Sequence, residues 1–257
     1  LDYNHELKNL NLYRAMLNDF KEIKLPEAIK SLSTKRLLTM TKISGMKVSQ
    51  FIKETKDIEL KNKLALNMFK AWYVPFYKYG VIHGDPHLGN YTIEKNANLN
   101  LLDFGCIRIF QPHFVSGVID LYTALRDGDK NLAVFAYERW GFEKPSKKLI
   151  DVLNIWARFV YEPLLEDKIK PISEMPTGQY GRKTAEKVHA ELKKIGGVKP
   201  PREFVLMDRA AVGLGSVFMK LGAKINWYRV FHELINDFNE NDLKKKQADA
   251  LKKVELN

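Results

Sequence analysis

The sequence predicts an α+β fold in which a few short strands give way to a long helical region. Three observations carry that expectation. The first 110 residues mix helical apolar spacing with short apolar, β-branched runs. Residues 58–79 keep an apolar stripe at helical spacing throughout, with Leu64, Met68, Trp72 and Phe76 on one face. After residue 110 the chain reads almost entirely as helices punctuated by proline.

The elements follow in order. Residues 4–20 place Leu7, Leu10, Tyr13, Ala15, Leu17 and Phe20 among polar residues, which predicts a helix ended before Pro26. Arg36 to Ile43 reads as a strand, stopped by Ser44-Gly45. Residues 47–54 predict a short helix and 58–79 a long one. Tyr91–Ile93 and Leu99–Leu102 predict a hairpin closed by the turn-rich 94–98 segment. Helices are expected over 113–126, 129–139, 146–165, 178–195, 203–223 and 226–237, separated by Pro145, Pro163, Pro171, Pro176 and Pro200-Pro201. The polar tail from Asn239 reads as a solvated helix or frayed end, and its lysines as a lesser candidate for contact with an anionic membrane.

Composition narrows the function classes. The 257 residues are 45% hydrophobic and 28% charged, which fits a folded globular chain and argues against global disorder. A net charge of +11 favours polyanions such as nucleotide phosphates or anionic lipid, but no nucleic-acid recognition motif accompanies it. The single cysteine, Cys106, excludes an internal disulfide and reads as a small packed apolar residue. The most apolar stretch, Ala210 to Ala223, is too short for a membrane span and carries Lys220.

Two polar knots interrupt the apolar runs: His83-Gly84-Asp85-Pro86-His87-Leu88-Gly89-Asn90 and Asp103-Phe104-Gly105. Asp85 and Asn90 are five apart, and Asp103 lies thirteen beyond Asn90. The catalytic loop of protein kinases has the same Asp-to-Asn interval and is likewise followed by Asp-Phe-Gly. Phosphoryl transfer needs a carboxylate beside the attacking oxygen and hard oxygen ligands for the magnesium that bridges nucleotide phosphates. A loop, a hairpin and the next strand end bring three such groups to one cleft. The competing readings are His83, Asp85 and His87 as transition-metal ligands, and Asp85 as a turn cap before Pro86. A buried core position is the default for both histidines.

The loop His83–Asn90 closely resembles that of the UbiB (AarF) atypical kinase-like family, which supports coenzyme Q biosynthesis. Leu1-Asp2-Tyr3-Asn4-His5-Glu6 resembles the end of that family's E-x-D motif and the start of its αC helix. Arg36 to Gly45 resembles its strand into the hinge, and Pro200–Phe204 with Asp208–Gly213 its late helical region. Leu88 stands where the family has proline, which removes no functional group.

The resemblance implies a protein-kinase-like fold, with residues 1–45 a remnant of the N-lobe and 46–257 the helical C-lobe. It implies ATP and magnesium as cofactors, Asp85 as the catalytic residue, and Asn90 and Asp103 as metal ligands. Glu6, Asp2, His83 and Gly105 take nucleotide-site or structural positions, Glu6 being the αC glutamate. The family's strand lysine, alanine-rich loop and K-x-G-Q motif are not found, so the chain reads as an N-terminally truncated piece that by itself lacks efficient turnover. Residues 106–112 run quickly into a helix without an A-P-E signature, which favours ATPase or small-molecule and lipid chemistry over protein phosphorylation. Expected partners are ATP, an anionic membrane surface, quinone-precursor lipids and other quinone-biosynthesis proteins, not nucleic acid. The expected location is the bacterial cytoplasm or inner-membrane surface, with a mitochondrion or plastid as the alternative. Two further readings stay open: a phosphotransferase of the aminoglycoside or choline kinase type, and a non-catalytic nucleotide- or lipid-binding pseudokinase.

Overall fold

The computed structural model describes residues 2–174 and 181–256. Its elements are α1 (Tyr3–Met16), β1 (Ile23–Lys24), α2 (Val48–Glu54), α3 (Ile58–Tyr79), β2 (Val81–His83), β3 (Tyr91–Ile93), β4 (Leu99–Leu101) and β5 (Ile107–Ile109). There follow α4 (Pro112–Asp127), α5 (Lys130–Arg139), α6 (Lys147–Tyr161), β6 (Lys170–Pro171), α7 (Arg182–Lys194), α8 (Arg202–Leu221), β7 (Lys224–Ile225), α9 (Trp227–Ile235) and α10 (Glu240–Lys253). The chain divides into two compact units. One comprises Leu1–Ile109, Leu221–Ala223 and Asn241–Asn257; the other comprises Phe110–Lys220 and Lys224–Glu240.

The first unit is built around α3. Asp57 caps its start by accepting from the Glu59 N–H at 2.8 Å, and Gly80 ends it in the left-handed region at φ 64°. Leu64, Met68, Trp72 and Phe76 are each 1% exposed or less, so the stripe read from the sequence is the buried face. β2 leaves α3 at once and pairs antiparallel with β5, His83 standing opposite Ile107. β3 and β4 form the expected hairpin, and β1 joins β4 in parallel to give the order β1-β4-β3.

Two expectations fail in this unit. The strand read over Arg36–Ile43 forms no ladder; only isolated bridges Ala28↔Met40 and Thr34↔Leu37 appear. Hydroxyls take the bonds a ladder would use: Ser33 Oγ accepts from Thr39 N at 3.0 Å, and Thr39 Oγ1 donates to Leu32 O at 2.6 Å. Leu37 and Met40 remain exposed, so burial does not enforce a strand here either. The tail, in turn, is not a wholly solvated helix. α10 buries Leu243 and Ala250, and Gln247 Nε2 donates to Tyr79 O at 2.9 Å.

The second unit is helical as expected, with shifted ends. The helix expected over 146–165 stops at Tyr161, where Pro163 forces a 3-10 turn at Glu162–Leu164. The start of the helix expected over 178–195, and Pro176 before it, lie outside the described residues. α4 and α5 pack through Trp140, whose Nε1 donates to Phe114 O at 3.2 Å. A Cβ at Gly117 would stand 3.0 Å from that nitrogen, so the close approach requires glycine.

Candidate active site

Every site residue expected from the sequence lies in the first unit. His83 ends β2 and is 1% exposed. Its Nε2 lies 2.8 Å from the Asp103 carbonyl and its Nδ1 3.2 Å from the Asp85 N–H. A carbonyl only accepts and an N–H only donates. The ring is therefore the neutral tautomer with its hydrogen on Nε2. Burial pushes the imidazole below its usual range, opposed by the bond to Asp103 O and by the charges of Asp103 and Asp85. One buried ring thus ties the backbone of Asp85 to that of Asp103. Trp72 Nε1 donates to His83 O at 3.0 Å and anchors the assembly to α3.

The loop then turns through a 3-10 segment, Leu88–Asn90, capped by His87 Nδ1 accepting from Gly89 N–H at 3.1 Å. His87 is exposed, which corrects the default expectation of a buried histidine: its ring serves a surface turn, not the core. Tyr91 OH donates to Pro86 O at 3.2 Å and closes the loop from beneath.

Asn90 is held at both ends. Its N–H donates to His87 O at 3.0 Å, and its carbonyl accepts from Leu102 N at 2.9 Å. Its Nδ2 donates to Asp85 O and to Asp85 Oδ2, both at 3.1 Å. Asp103 Oδ1 accepts from Gly105 N–H at 2.9 Å in a local turn. Asn90 Oδ1 and Asp103 Oδ2 have no protein donor among the described residues.

Glu6, on α1, accepts from Phe104 N–H through Oε1 at 3.3 Å. Burial raises its carboxyl, Phe104 N–H pulls it down, and the Asp103 charge raises it further. A Cβ on Gly105 would lie 3.5 Å from both Asp103 Oδ1 and Glu6 Oε2, so the two carboxylates flank this glycine. Among the described residues no lysine or arginine pairs with Glu6. Asp2 is exposed and caps α1, accepting from Asn4 N–H at 3.0 Å. Cys106 is part-exposed, and its carbonyl accepts from Gly84 N–H at 2.7 Å.

Sequence reading missed Asn9. It is 2% exposed, and its Nδ2 donates to Phe104 O at 2.9 Å. The only signal was a polar residue three beyond Glu6 on one helix face, too common to single out. The transition-metal alternative does not form: both ring nitrogens of His83 are taken by backbone groups. Among the described residues no three His, Cys, Asp or Glu side chains gather to hold a metal by themselves.

The helical mass, the small hairpin and a loop of this geometry define a kinase-like fold. The chain belongs to the family described as the ABC1 atypical kinase-like domain, whose model matches residues 1–136. It is 29% identical to an uncharacterized protein in the hydrogenase 1 5′ region of Clostridium pasteurianum, over 94% of this chain and 44% of that one. It is 24% identical to the mitochondrial atypical kinase COQ8 of Saccharomyces cerevisiae, over 91% of this chain and 46% of that one. A solved structure, described as the complex of Rv3197 with erythromycin from Mycobacterium tuberculosis, shares the fold at a TM-score of 0.66. Identity there is 19%, covering 91% of this chain and 58% of that one. The chain spans about half the length of these two curated relatives. No helix among the described residues is long and apolar enough to cross a membrane.

Proposed function

We propose that this chain carries the catalytic loop and metal-phosphate site of an ATP-dependent atypical kinase or ATPase that supports quinone biosynthesis. One observation carries the reading. The amide nitrogen of Asn90 is spent on Asp85, and one Asp103 oxygen on Gly105 N–H, leaving Asn90 Oδ1 and Asp103 Oδ2 as two oxygens without protein donors.

Two hard oxygens fit magnesium, which keeps several waters and binds through one or two protein ligands plus substrate phosphates. Asn90 and Asp103 would hold it, and the bound ion would neutralise charge on the nucleotide phosphates. Asp85 orients the attacking hydroxyl or water and takes its proton; the bond from Asn90 fixes the carboxylate plane for that task. His83 keeps Asp85 and Asp103 in register, and Gly105 supplies the N–H that Asp103 Oδ1 accepts.

Glu6 takes the αC glutamate position, Asp2 the second acid of E-x-D, and residues 1–45 belong to the N-lobe side of the cleft. Because no cation pairs with Glu6 among the described residues, we take this chain by itself to bind nucleotide without efficient turnover. The names of relatives such as COQ8 support the quinone assignment; we extend it to lipid precursors, an anionic membrane surface and other biosynthetic proteins as partners, and to the bacterial cytoplasm or inner-membrane surface as the location. Organellar relatives in yeast and Arabidopsis keep a mitochondrion or plastid as the alternative.

The test is thermal unfolding with and without magnesium-ADP, beside Asp103→Asn. Ligand at about 100 times its Kd adds about 2.7 kcal/mol of stability. A magnesium-dependent rise in Tm, lost in the variant, supports the reading; an equal rise in both, or none, contradicts it.

A further inference from the structure

The two peptides that meet at the Phe104 Cα are both held by one helix. The Phe104 N–H donates to Glu6 Oε1 at 3.3 Å, and the Phe104 carbonyl accepts from Asn9 Nδ2 at 2.9 Å. Glu6 and Asn9 are three apart on α1 and share a face. Tyr13, four further on, continues that face and sets its ring 5.7 Å from Phe104 and 6.2 Å from His83. Phe104 is fully buried and Asn9 is 2% exposed, so water does not replace either bond.

We propose that Asn9 is a positioning residue for Asp103, acting through the Phe104–Gly105 peptide, so that the orientation of α1 sets the metal-phosphate site. The inference rests on the reading of Asp103 as a metal ligand. The geometry supports it in three ways. Asp103 immediately precedes Phe104, and its own carbonyl is fixed by His83. That carbonyl and the Phe104 N–H form one peptide, held by His83 and Glu6; the next peptide, Phe104–Gly105, is held by Asn9 at its carbonyl and donates its N–H to Asp103 Oδ1 at 2.9 Å, so Asn9 fixes the donor that orients the Asp103 carboxylate. Glu6 contributes a long bond and a charge that repels Asp103, whereas Asn9 contributes a short neutral bond with no such penalty. Asn9 alone holds the peptide whose N–H meets Asp103 Oδ1. A donor is required, because the group it meets is a buried carbonyl.

The test uses the whole chain with Asn9→Leu, which keeps the volume and removes the donor, and Asn9→Asp, which replaces it with an acceptor. Two readouts are needed. The first is amide hydrogen exchange without ligand. If Asn9 fixes the turn, Gly105 N–H, which donates to Asp103 Oδ1, exchanges about tenfold faster in both variants, while Ile82 and Ile93 in the paired strands keep their protection. Unchanged exchange at Gly105 overturns the proposal whether or not the protein binds nucleotide. The second is affinity for ADP with magnesium and with a chelator. The variants lose about tenfold with magnesium and nothing without it. A loss of equal size in both conditions assigns Asn9 a merely structural role and overturns the proposal. Wild-type protein that binds no magnesium-ADP contradicts the reading of the site, and the exchange result then decides the clamp alone.

Discussion

Asn90 donates through Nδ2 to Asp85 Oδ2 at 3.1 Å, and the same nitrogen reaches Asp85 O at the same distance. The five-residue interval between them is thereby closed into a ring that spends the Asn90 amide nitrogen on Asp85 and leaves Asn90 Oδ1 without a protein donor among the described residues. Removing the amide should undo both effects. Asn90→Ala is expected to cost about 1 kcal/mol of stability and to abolish the magnesium-dependent Tm rise with ADP. Paired melts of the two proteins check this; a variant that keeps the full rise contradicts the assignment of Oδ1.

Glu6 keeps its bond to Phe104 N–H if it becomes glutamine, but loses its repulsion from Asp103 and the cost of burying a charge. Glu6→Gln is therefore expected to melt at or above the wild-type temperature without nucleotide at pH 7.5. A lower Tm would mean that the carboxylate has a stabilising cation partner.

The approach of the 44–46 segment to the hairpin depends on glycine. A Cβ at Gly45 would stand 2.6 Å from Thr92 Oγ1 and 2.7 Å from Asn100 Nδ2, below any ordinary contact. Gly45→Ala should lower stability by about 1–3 kcal/mol in denaturant melts. Gly105→Ala, whose Cβ would meet nothing closer than 3.5 Å, should fold with little loss.

Asp208 on α8 predicts a pH dependence. Burial pushes its carboxyl up to about 7, well above the usual carboxylate range. The folded state keeps a proton that the unfolded state releases, so the contribution to stability is full below about pH 4 and is lost as pH rises to about 7. Asp208→Asn should raise Tm at pH 8 and change it little at pH 4. The same difference at both pH values would contradict the assignment.

Much of this was legible because spacing survives any detail of packing. The Asp85-to-Asn90 interval and Asp103-Phe104-Gly105 located the site, and the stripe from Leu64 to Phe76 located the helix beneath it. What stayed hidden depended on partners distant in sequence. β1, β2 and β5 have only two or three residues each, too few for a period to register. The apolar run Arg36–Ile43 pairs only at isolated bridges, which local propensity does not encode. Asn9 became meaningful only when Phe104, 95 positions away, was found against it. The lysine-rich tail hid Leu243 and Ala250, whose docking is a property of the fold and not of the tail's composition.

The central claim is that Asn90 and Asp103 hold the metal of a metal-nucleotide. It is tested most directly by amide NMR of the whole chain with manganese-ADP, in which the paramagnetic ion stands where magnesium would. Broadening is expected to centre on Asn90 and on Asp103 to Gly105, to be absent with manganese alone at the same concentration and to be lost in Asp103→Asn. Broadening centred elsewhere, or unchanged in the variant, would contradict it.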